Sequence, residues 1–268
     1  MNDTAPRGYR IATDERSVDL EHRRLAALAA WRDPRTTATL TAAGIGPGWR
    51  CLEVGAGNGS VSRWMVDQVG PEGRVLSTDI DLRFHCDPVP GMEVSEVDVM
   101  SDPLPQATFD LVHARALFMH LPDRAAALDR LVATLRPGGW VVIEDSDWRA
   151  FEAQPLPESL ATVAAVMHDG LRRRTGWDPN IGSSLLRMFA DRGLVELDVT
   201  GETRTMHGGT YTCDWWTLGI EQAAGRLVDA GAVTEAQVAG ALETVHSPDF
   251  VMMSPLSLSV RGRVPARP

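Results

Sequence analysis

The chain has 268 residues, 44% of them hydrophobic, which is enough to form one sizeable core. The chain has 26 Lys and Arg residues and 36 Asp and Glu residues, so its formal net charge is −10 at pH 7. Because binding to a phosphate backbone needs clustered basic side chains, this balance argues against nucleic acid as a partner. Charged residues interrupt every apolar stretch and no secretory signal pattern begins the chain, so we expect a soluble, cytoplasmic protein without membrane contact.

The cysteines and histidines do not follow the spacing of a metal or disulfide motif. Cys51, Cys86 and Cys213 are odd in number and widely separated, which predicts free thiols. The seven histidines contain no His-Glu-x-x-His pattern. We therefore expect no metal site.

The chain begins with a polar stretch followed by helical patterns. Residues 1–14 contain Pro and Gly and predict no regular structure. Apolar residues at helical spacing predict a helix over Asp14–Trp31 and a second, short helix over Pro34–Ala43, which ends at the glycines that follow. We interpret residues 1–45 as an N-terminal helical cap.

From residue 46 onward, short apolar runs alternate with helical stretches. Strands that alternate with helices predict an α/β fold with a doubly wound, mostly parallel seven-stranded sheet, because parallel neighbours need crossover connections. The predicted strands are Trp49–Val54, Arg74–Thr78, Met92–Val97, Phe109–Ala114, Trp140–Glu144, Leu194–Thr203 and Phe250–Gly262. The predicted helices between the first five strands are Gly59–Val69 and Asp123–Leu135, and residues 136–139 are predicted to form a turn.

Further helical patterns interrupt the later part of the sheet and predict a lid over a substrate. They cover Pro155–Arg174, Ile181–Arg192, Asp214–Ala230 and Thr234–Val245. The prediction is one structural domain, in which residues 46–150 form the cofactor-binding core and residues 151–268 complete it.

A glycine-rich loop joins the first predicted strand to the first helix. Gly55, Gly57 and Gly59 permit a tight turn and close approach of a ligand to the backbone. Asp79 follows about 20 residues later at the end of the next strand, where an acid can accept hydrogen bonds from a ribose. Together these features predict an adenosine-containing cofactor. An NAD(P)-dependent oxidoreductase is the alternative, although Ser60 stands where the third glycine of the dinucleotide fingerprint would fall.

The segment from Glu53 to Gly59 has the pattern acid-x-Gly-x-Gly-x-Gly and resembles the first motif of class I S-adenosylmethionine-dependent methyltransferases. The resemblance continues through the segments 96–99, 109–115, 120–123 and 135–139. It implies a Rossmann-like fold and S-adenosylmethionine as cofactor. The helical insertion before the last strand is similar to that of actinobacterial natural-product methyltransferases.

The resemblance also implies which residues bind the cofactor. In this family the leading acid faces the ammonium group, the acid after the second strand binds the ribose, and an acid with its apolar neighbour contacts the adenine. Carried onto this chain, the implied cofactor residues are Glu53, Gly55, Ala56, Gly57, Gly59, Asp79, Ile80, Asp98, Val99 and Arg115. Arg115 stands where amino-methylating relatives carry the first residue of Asn-Pro-Pro-Tyr, which disfavours methylation of the exocyclic amine of a base.

The sequence indicates residues for catalysis and acceptor binding less clearly than residues for cofactor binding. His120 and Asp145 are the candidate catalytic residues, since Asp145 follows the fifth strand and strand ends of such sheets face the ligand crevice. For both, a purely structural role is the alternative. Aromatic residues in or beside the insertions predict an apolar acceptor pocket, and these are Phe118, Trp148, Trp177, Trp215 and Trp216. On a helix Trp215 and Trp216 point about 100° apart, so one is expected to face the pocket and the other the core.

The predicted function is direct SN2 transfer of a methyl group to a small molecule, an aromatic compound such as an indole or phenol, or a terpenoid secondary metabolite. These residues do not distinguish O-, N- and C-methylation. A non-catalytic binder that keeps the fold is a further alternative, and a homodimer is left open.

Overall fold

A seven-stranded sheet forms the centre of the computed structural model, which describes residues 15–266. Its strand order is β3-β2-β1-β4-β5-β9-β6. Every pairing from β3 to β5 is parallel, whereas β9 runs antiparallel to both β5 and β6. The predicted doubly wound, mostly parallel sheet is confirmed. The strands are β1 (Arg50–Val54), β2 (Arg74–Asp79), β3 (Met92–Glu96), β4 (Phe109–Arg115), β5 (Leu135–Asp147), β6 (Val195–Glu202), β7 (Thr205–His207), β8 (Val251–Met253) and β9 (Leu256–Arg263).

Helices cover both faces of this sheet. They are α1 (Glu15–Ala42), α2 (Ser60–Val69), α3 (Arg124–Thr134), α4 (Arg149–Glu152), α5 (Glu158–Thr175), α6 (Gly182–Ala190), α7 (Tyr211–Asp229) and α8 (Glu235–His246). Short 3-10 turns occupy Leu82–Phe84 and Phe118–His120. The expectation of no regular structure over residues 1–14 lies outside the described residues.

The central strands are apolar on both sides because successive side chains point to opposite faces. Leu52 and Val112 are register partners and pack into the larger core cluster. Their neighbours Cys51 and Leu111 pack into a second cluster on the opposite face. Each central strand therefore fixes two layers of helices, and the ends of these strands are held in place.

The N-terminal region forms one helix where two were predicted. Pro34 lies inside the 28-residue α1, although proline removes a hydrogen bond and crowds the preceding turn. The helix continues because buried side chains lie on both sides of it, Trp31 before and Leu40 after. Tertiary packing outweighs the local cost of the proline, so the predicted helix break is wrong.

Two strand boundaries also differ from the sequence prediction. Residues 136–139 do not form a separate turn but belong to β5, where the register with β4 shifts between Phe109 and Leu111. The predicted last strand is divided by Pro255, which lacks a backbone donor. Its first part, β8, pairs with β7 in a separate two-stranded sheet that sequence reasoning missed.

The predicted lid lies over the carboxyl ends of the parallel strands. It is built from α5, α7 and α8, which pack against one another, while α1 packs against α7. The sheet thus forms the floor of a crevice, and α1 and the lid helices form its walls.

A charged group buried under this crevice links three strands to α1. His113 of β4 lies between two carboxylates, with Nδ1 2.7 Å from Glu53 Oε2 and Nε2 3.4 Å from Glu144 Oε2. Glu144 also accepts hydrogen bonds from the hydroxyls of Thr36 and Ser259. Each of these side chains is buried, and the charges of His113 and of the nearby Arg115 oppose those of the two carboxylates away from water.

Their pKa values follow from this arrangement. Burial by itself lowers the pKa of His113, but the charge of Glu53 and hydrogen bonds to both carboxylates outweigh it and raise the pKa to about 9. Burial opposes ionisation of Glu144, yet its contacts with His113 lower its pKa to about 2. His113 is therefore an imidazolium at neutral pH.

Replacing Pro34 by alanine tests the cost of the proline in α1. Pro34→Ala restores the missing backbone hydrogen bond and removes the steric conflict, so the free energy of unfolding should rise by roughly 1–3 kcal/mol. Ala38→Gly, at an exposed position of the same helix, should lower it by about 1 kcal/mol. Urea unfolding of the variants measures both. An unchanged or lowered stability of Pro34→Ala would show that α1 needs the proline for its packing.

The buried imidazolium should give a pH dependence of stability. Because the pKa of His113 is raised above its ordinary 6.5 to about 9 in the folded protein, its stabilising effect is complete below pH 6.5 and disappears as the pH rises toward 9. Urea unfolding between pH 6 and 9.5 should show this decline in the wild type and a shallower one in His113→Gln. His246→Gln, at an exposed site, should keep the wild-type slope. Equal slopes in all three proteins would contradict a buried imidazolium.

Candidate active site

A cavity of about 490 Å³ opens at the carboxyl ends of the parallel strands, a size typical of small-molecule sites. One end is lined by the glycine loop and by the ends of β2 and β3, and the other by α5, α7 and the residues after β5. The following sequence-predicted residues line it: Gly55, Ala56, Gly57, Asp79, Ile80, Asp98, Val99, Arg115, His120, Trp148, Trp177, Trp215 and Trp216. Four other predicted residues do not, namely Glu53, Gly59, Phe118 and Asp145.

The glycine loop has a backbone that favours glycine at each of its three positions. Gly55, Gly57 and Gly59 have φ values of +72°, +56° and +74°, where side chains are strained. Gly55 and Gly57 line the cavity. A Cβ on Gly59 would instead lie 2.7 Å from Cys86 Sγ. The structure therefore corrects the expectation for Gly59, whose missing side chain permits packing against Cys86 and not contact with a ligand.

Asp79 joins the glycine loop to the end of β2. Its Oδ2 accepts a hydrogen bond of 2.8 Å from the Gly57 amide, and its Oδ1 accepts one of 3.0 Å from the Asp81 amide. Burial raises the pKa of this carboxyl, while the backbone donors oppose that rise. The carboxylate is held rigidly at the cavity wall, where its remaining lone pairs can accept hydrogen bonds from a diol.

Glu53 lies beneath the loop and not in the cavity. It is buried and binds His113, as described above, because its side chain points to the same face of the sheet as that of Cys51, two residues earlier on β1. The place that the resemblance implies for Glu53, facing the ammonium group directly or through water, stays a prediction. Asp98 does line the cavity, and its Oδ1 also accepts a 2.8 Å hydrogen bond from the Met100 amide, so it stabilises its own turn.

Two arginines come from different elements to the same part of the wall. Arg115, at the end of β4, donates 2.9 Å hydrogen bonds to Thr36 Oγ1 and pairs with Asp33 at 2.9 Å, both on α1. Arg32 of α1 donates one 2.9 Å hydrogen bond to Ser146 Oγ. Within residues 15–266 its buried Nε has no hydrogen-bond partner, and no carboxylate lies within 4.0 Å of its guanidinium. Burial and the charge of Arg115 lower the pKa of Arg32 to about 10.

Sequence reasoning missed Arg32, because α1 precedes every motif of the glycine-loop core. The one available signal was its position next to Trp31, on the apolar side of the amphipathic pattern. Asp145 and Glu144 act on this cation only from a distance, and a cation placed toward the core without a direct ion pair can accept an anionic partner from outside the chain.

The opposite end of the cavity has a wall of aromatic side chains centred on Trp148. Its ring meets those of Trp177 and Trp215 edge to face, with centroids 5.5 and 6.0 Å apart. Trp216 also lines the cavity, although it is nearly fully buried in the core and packs on Phe151, whereas Trp215 is only partly buried. That one of the adjacent pair faces the pocket and the other the core stays a prediction. Edge-to-face contacts make this wall stiff.

Phe118 and Asp145 lie behind the cavity wall. Phe118 is fully buried in the core, because the 3-10 turn of residues 118–120 directs it there. Asp145 is equally buried, and its carboxylate accepts hydrogen bonds of 3.0 and 2.9 Å from the amides of Met119 and Ser146. Burial raises its pKa to about 7. These placements correct the expectations of substrate contact by Phe118 and of catalysis by Asp145, which instead fastens the turn to β5.

Two histidines line the cavity, one predicted and one missed. Burial, with the charges of Arg24 and Arg124, lowers the pKa of His120 to about 3. His168 of α5 was missed, because a histidine within an insertion belongs to no family motif. Burial and the charge of Arg172 lower its pKa to about 4. Both imidazoles are uncharged at neutral pH.

The described residues contain neither a metal-binding cluster nor a membrane-spanning helix. Among the described residues, no group of three or more His, Cys, Asp and Glu side chains is arranged to hold a metal ion. Over the same range, no helix combines the length and apolar character that crossing a membrane requires. Cys51 and Cys213 are buried thiols, and Cys86 is a half-buried one.

Comparison with solved structures finds the same fold in proteins of low sequence identity. A SAM-dependent methyltransferase from Aquifex aeolicus has a TM-score of 0.51 at 15% identity, covering 94% of this chain and 100% of that one. Phosphoethanolamine N-methyltransferase 2 of Haemonchus contortus, solved with phosphomonomethylethanolamine and S-adenosylhomocysteine, has a TM-score of 0.51 at 14% identity, covering 91% of this chain and 52% of that one.

Sequence comparison identifies the family. The methyltransferase str2 of Strobilurus tenacellus is 29% identical over 150 residues, 54% of this chain and 53% of that protein. The chain spans about half the length of three of the curated relatives that it matches. A family model described as "Methyltransferase domain" matches residues 16–200. The predicted family and its cofactor, S-adenosylmethionine, are confirmed, and the nicotinamide alternative gains no support: the chain belongs to the class I S-adenosylmethionine-dependent methyltransferases.

Proposed function

We propose that this protein transfers the methyl group of S-adenosylmethionine to a small-molecule acceptor. The observation that carries the proposal is one continuous cavity, with the glycine loop and Asp79 at one end and the tryptophan wall at the other. A donor and an acceptor that occupy the two ends would meet inside the protein. Holding both reactants in line and away from water supplies much of the rate acceleration that such a transfer needs.

The residues at the glycine-loop end fit S-adenosylmethionine. Gly55 and Gly57 leave room for close backbone approach, Asp79 would accept hydrogen bonds from the ribose, and Asp98 and Val99 would flank the adenine. Arg32 offers a buried guanidinium with an unused Nε, and would bind the carboxylate of the methionine part. When bound, the cofactor supplies an electrophilic methyl group on a positively charged sulfur.

The aromatic end favours a planar or hydrocarbon acceptor. Trp148, Trp177 and Trp215 provide flat apolar surfaces. Among the residues that the structure describes, the one acid that lines this end near α7 is Glu21, to which Arg24 donates two hydrogen bonds. Such a wall suits an aromatic or terpenoid secondary metabolite better than a sugar or a peptide. His120 stays a proposed contact of this site. Three expectations from the sequence stay predictions: the cytoplasmic location, the absence of nucleic acid as a partner, and the domain limits. A homodimer stays open.

A protein of this fold that binds the cofactor without transferring its methyl group is the second candidate. Product formation separates the two. Incubation with methyl-labelled S-adenosylmethionine and a panel of indoles, phenols and terpenoids should yield labelled product, and binding of S-adenosylhomocysteine without any labelled product would favour the binder.

Removal of the Asp79 carboxylate tests the ribose contact. Asp79→Ala should weaken binding of S-adenosylhomocysteine by about 1.5–3 kcal/mol, the range for hydrogen bonds to a charged acceptor. Asp67→Ala, at an exposed site on α2, should leave affinity unchanged. Calorimetric titration of both variants measures the effect, with thermal unfolding as a check on the fold. Unchanged affinity in a folded Asp79→Ala protein would remove the ribose from this carboxylate.

Removal of the Arg32 guanidinium tests the carboxylate contact. Arg32→Met keeps the apolar stem, and should weaken S-adenosylhomocysteine roughly 10- to 100-fold. Binding of 5′-methylthioadenosine, which lacks the amino-acid part, should change by less than about twofold. Arg35→Met is the matched control, because Arg35 lies on the same helix but binds Glu202 and Thr200 outside the cavity. Equal losses for both ligands would show that Arg32 supports the fold and does not bind the carboxylate.

A further inference from the structure

His168 has a hydrogen-bonding atom that the fold does not use. The side chain is 6% exposed, and its ring lies edge-on to Trp148 and tilted to Trp177, with centroid distances of 4.9 and 5.1 Å. Its Nε2 has no hydrogen-bond partner among the residues that the structure describes. Buried polar atoms nearly always have a partner, so this nitrogen in the cavity wall calls for one from a ligand.

The other ring nitrogen determines what Nε2 can do. Nδ1 lies 3.6 Å from Oε1 of Glu152 on α4, and that carboxylate also pairs with Arg172 at 3.3 Å. A negative charge on this side favours the tautomer with its proton on Nδ1, which leaves the lone pair on Nε2. Because burial and Arg172 lower the pKa of His168 to about 4, that lone pair is available throughout the neutral range. His168 is thus a hydrogen-bond acceptor within an apolar wall.

The same wall also carries hydrogen-bond donors without partners. The indole Nε1 atoms of Trp148 and Trp215 are buried and have no hydrogen-bond partner within residues 15–266. A ligand that satisfies both kinds of group has a proton to give and an oxygen lone pair to offer, on a flat apolar body. A hydroxyl on an aromatic ring has these properties, whereas an ether, a hydrocarbon or a quaternary amine lacks the proton.

We propose that His168 binds the hydroxyl of an aromatic acceptor through Nε2 and receives its proton during O-methylation, with Glu152 as the positioning residue. The inference rests on the proposed function and narrows its acceptor class. As the oxygen electron pair forms the new bond to the methyl carbon, the carbon–sulfur pair returns to sulfur and the hydroxyl proton passes to Nε2, from which it leaves to solvent. A neutral hydroxyl needs such a base more than an amine does.

His168 fits this role better than His120. His120 also lines the cavity, but the two cations Arg24 and Arg124 oppose a proton on its ring. The charged groups that act on His168 are Arg172 of its own helix and Glu152 of α4. At His168 the Glu152 carboxylate lies 3.6 Å from Nδ1, where its negative charge stabilises the imidazolium that forms.

The test compares two probes that differ only in the replacement of a hydroxyl hydrogen by a methyl group. In the presence of saturating S-adenosylhomocysteine, fluorescence titration measures the affinity of 2-naphthol and of its methyl ether, 2-methoxynaphthalene, at pH 7. The wild type should prefer the naphthol by roughly 5- to 20-fold, the usual effect of one or two hydrogen bonds. In His168→Phe, which keeps an aromatic ring, the preference should fall below about twofold. His246→Phe, at an exposed site, should keep it.

Further measurements separate a binding role from a structural one. The affinity for S-adenosylhomocysteine and for the methyl ether should be the same in wild type and His168→Phe, and His168→Leu serves as a second variant if the first does not fold. Glu152→Gln should reduce the preference for naphthol to an intermediate value. In labelled methyl transfer to the naphthol, His168→Phe should lower kcat by roughly 10-fold or more.

Two outcomes would overturn the inference: a wild type that binds neither probe or shows no preference, and a preference that survives in a folded His168 variant. If S-adenosylhomocysteine binds normally in these cases, only the inference fails. If the wild type does not bind S-adenosylhomocysteine, the proposed function fails and the inference with it.

Discussion

The buried imidazolium of His113 is the interaction on which the site depends. It bridges carboxylates of β1 and β5, and Glu144 extends the contact to the hydroxyl of Thr36 on α1. Removing one partner of such a group leaves an uncompensated charge in the core, whereas the complete group costs little. The ends of three strands and the middle of α1 are therefore fixed to one another. Glu53 serves this group, and the glycine loop that follows it begins from a fixed point.

This anchoring explains why α1 can form a wall of the cavity. Thr36 and Asp33 bind Arg115 at the end of β4, and Arg32 on the same helix segment reaches Ser146 near the end of β5. An arginine on an unanchored helix would turn toward solvent, because burying a cation without a direct ion pair is costly. Here the position of the helix is set by other contacts, so Arg32 stays half-buried and its Nε has no hydrogen-bond partner within residues 15–266. The contacts that stabilise the fold therefore also place this arginine in the cavity wall.

The sequence was sufficient to predict the central sheet and the glycine loop, since both depend on local patterns. Apolar runs ending in glycine or acid predicted β1 and β2, and the positive φ values of Gly55 and Gly57 follow from residue type. The sequence was insufficient where contacts between residues far apart in the chain determine the structure. Pro34 stays helical because Trp31 before it and Leu40 after it are buried in two different core clusters. The position of Glu53 depends on His113, 60 residues away.

The acceptor end of the cavity also depends on contacts between residues far apart in the chain, which the local sequence does not reveal. The tryptophans were predicted as a set from composition, but their mutual arrangement places His168 among them, and nothing in the local sequence of α5 distinguishes that histidine from a core residue. Its proposed role follows from the atoms around it: aromatic rings beside it, a carboxylate near Nδ1 and, within the described part of the chain, no hydrogen-bond partner for Nε2. In water an unpartnered imidazole nitrogen is unremarkable because solvent satisfies it. Inside a stiff apolar wall the same atom selects its ligand, since an acceptor without a proton to donate would leave it unsatisfied at a cost.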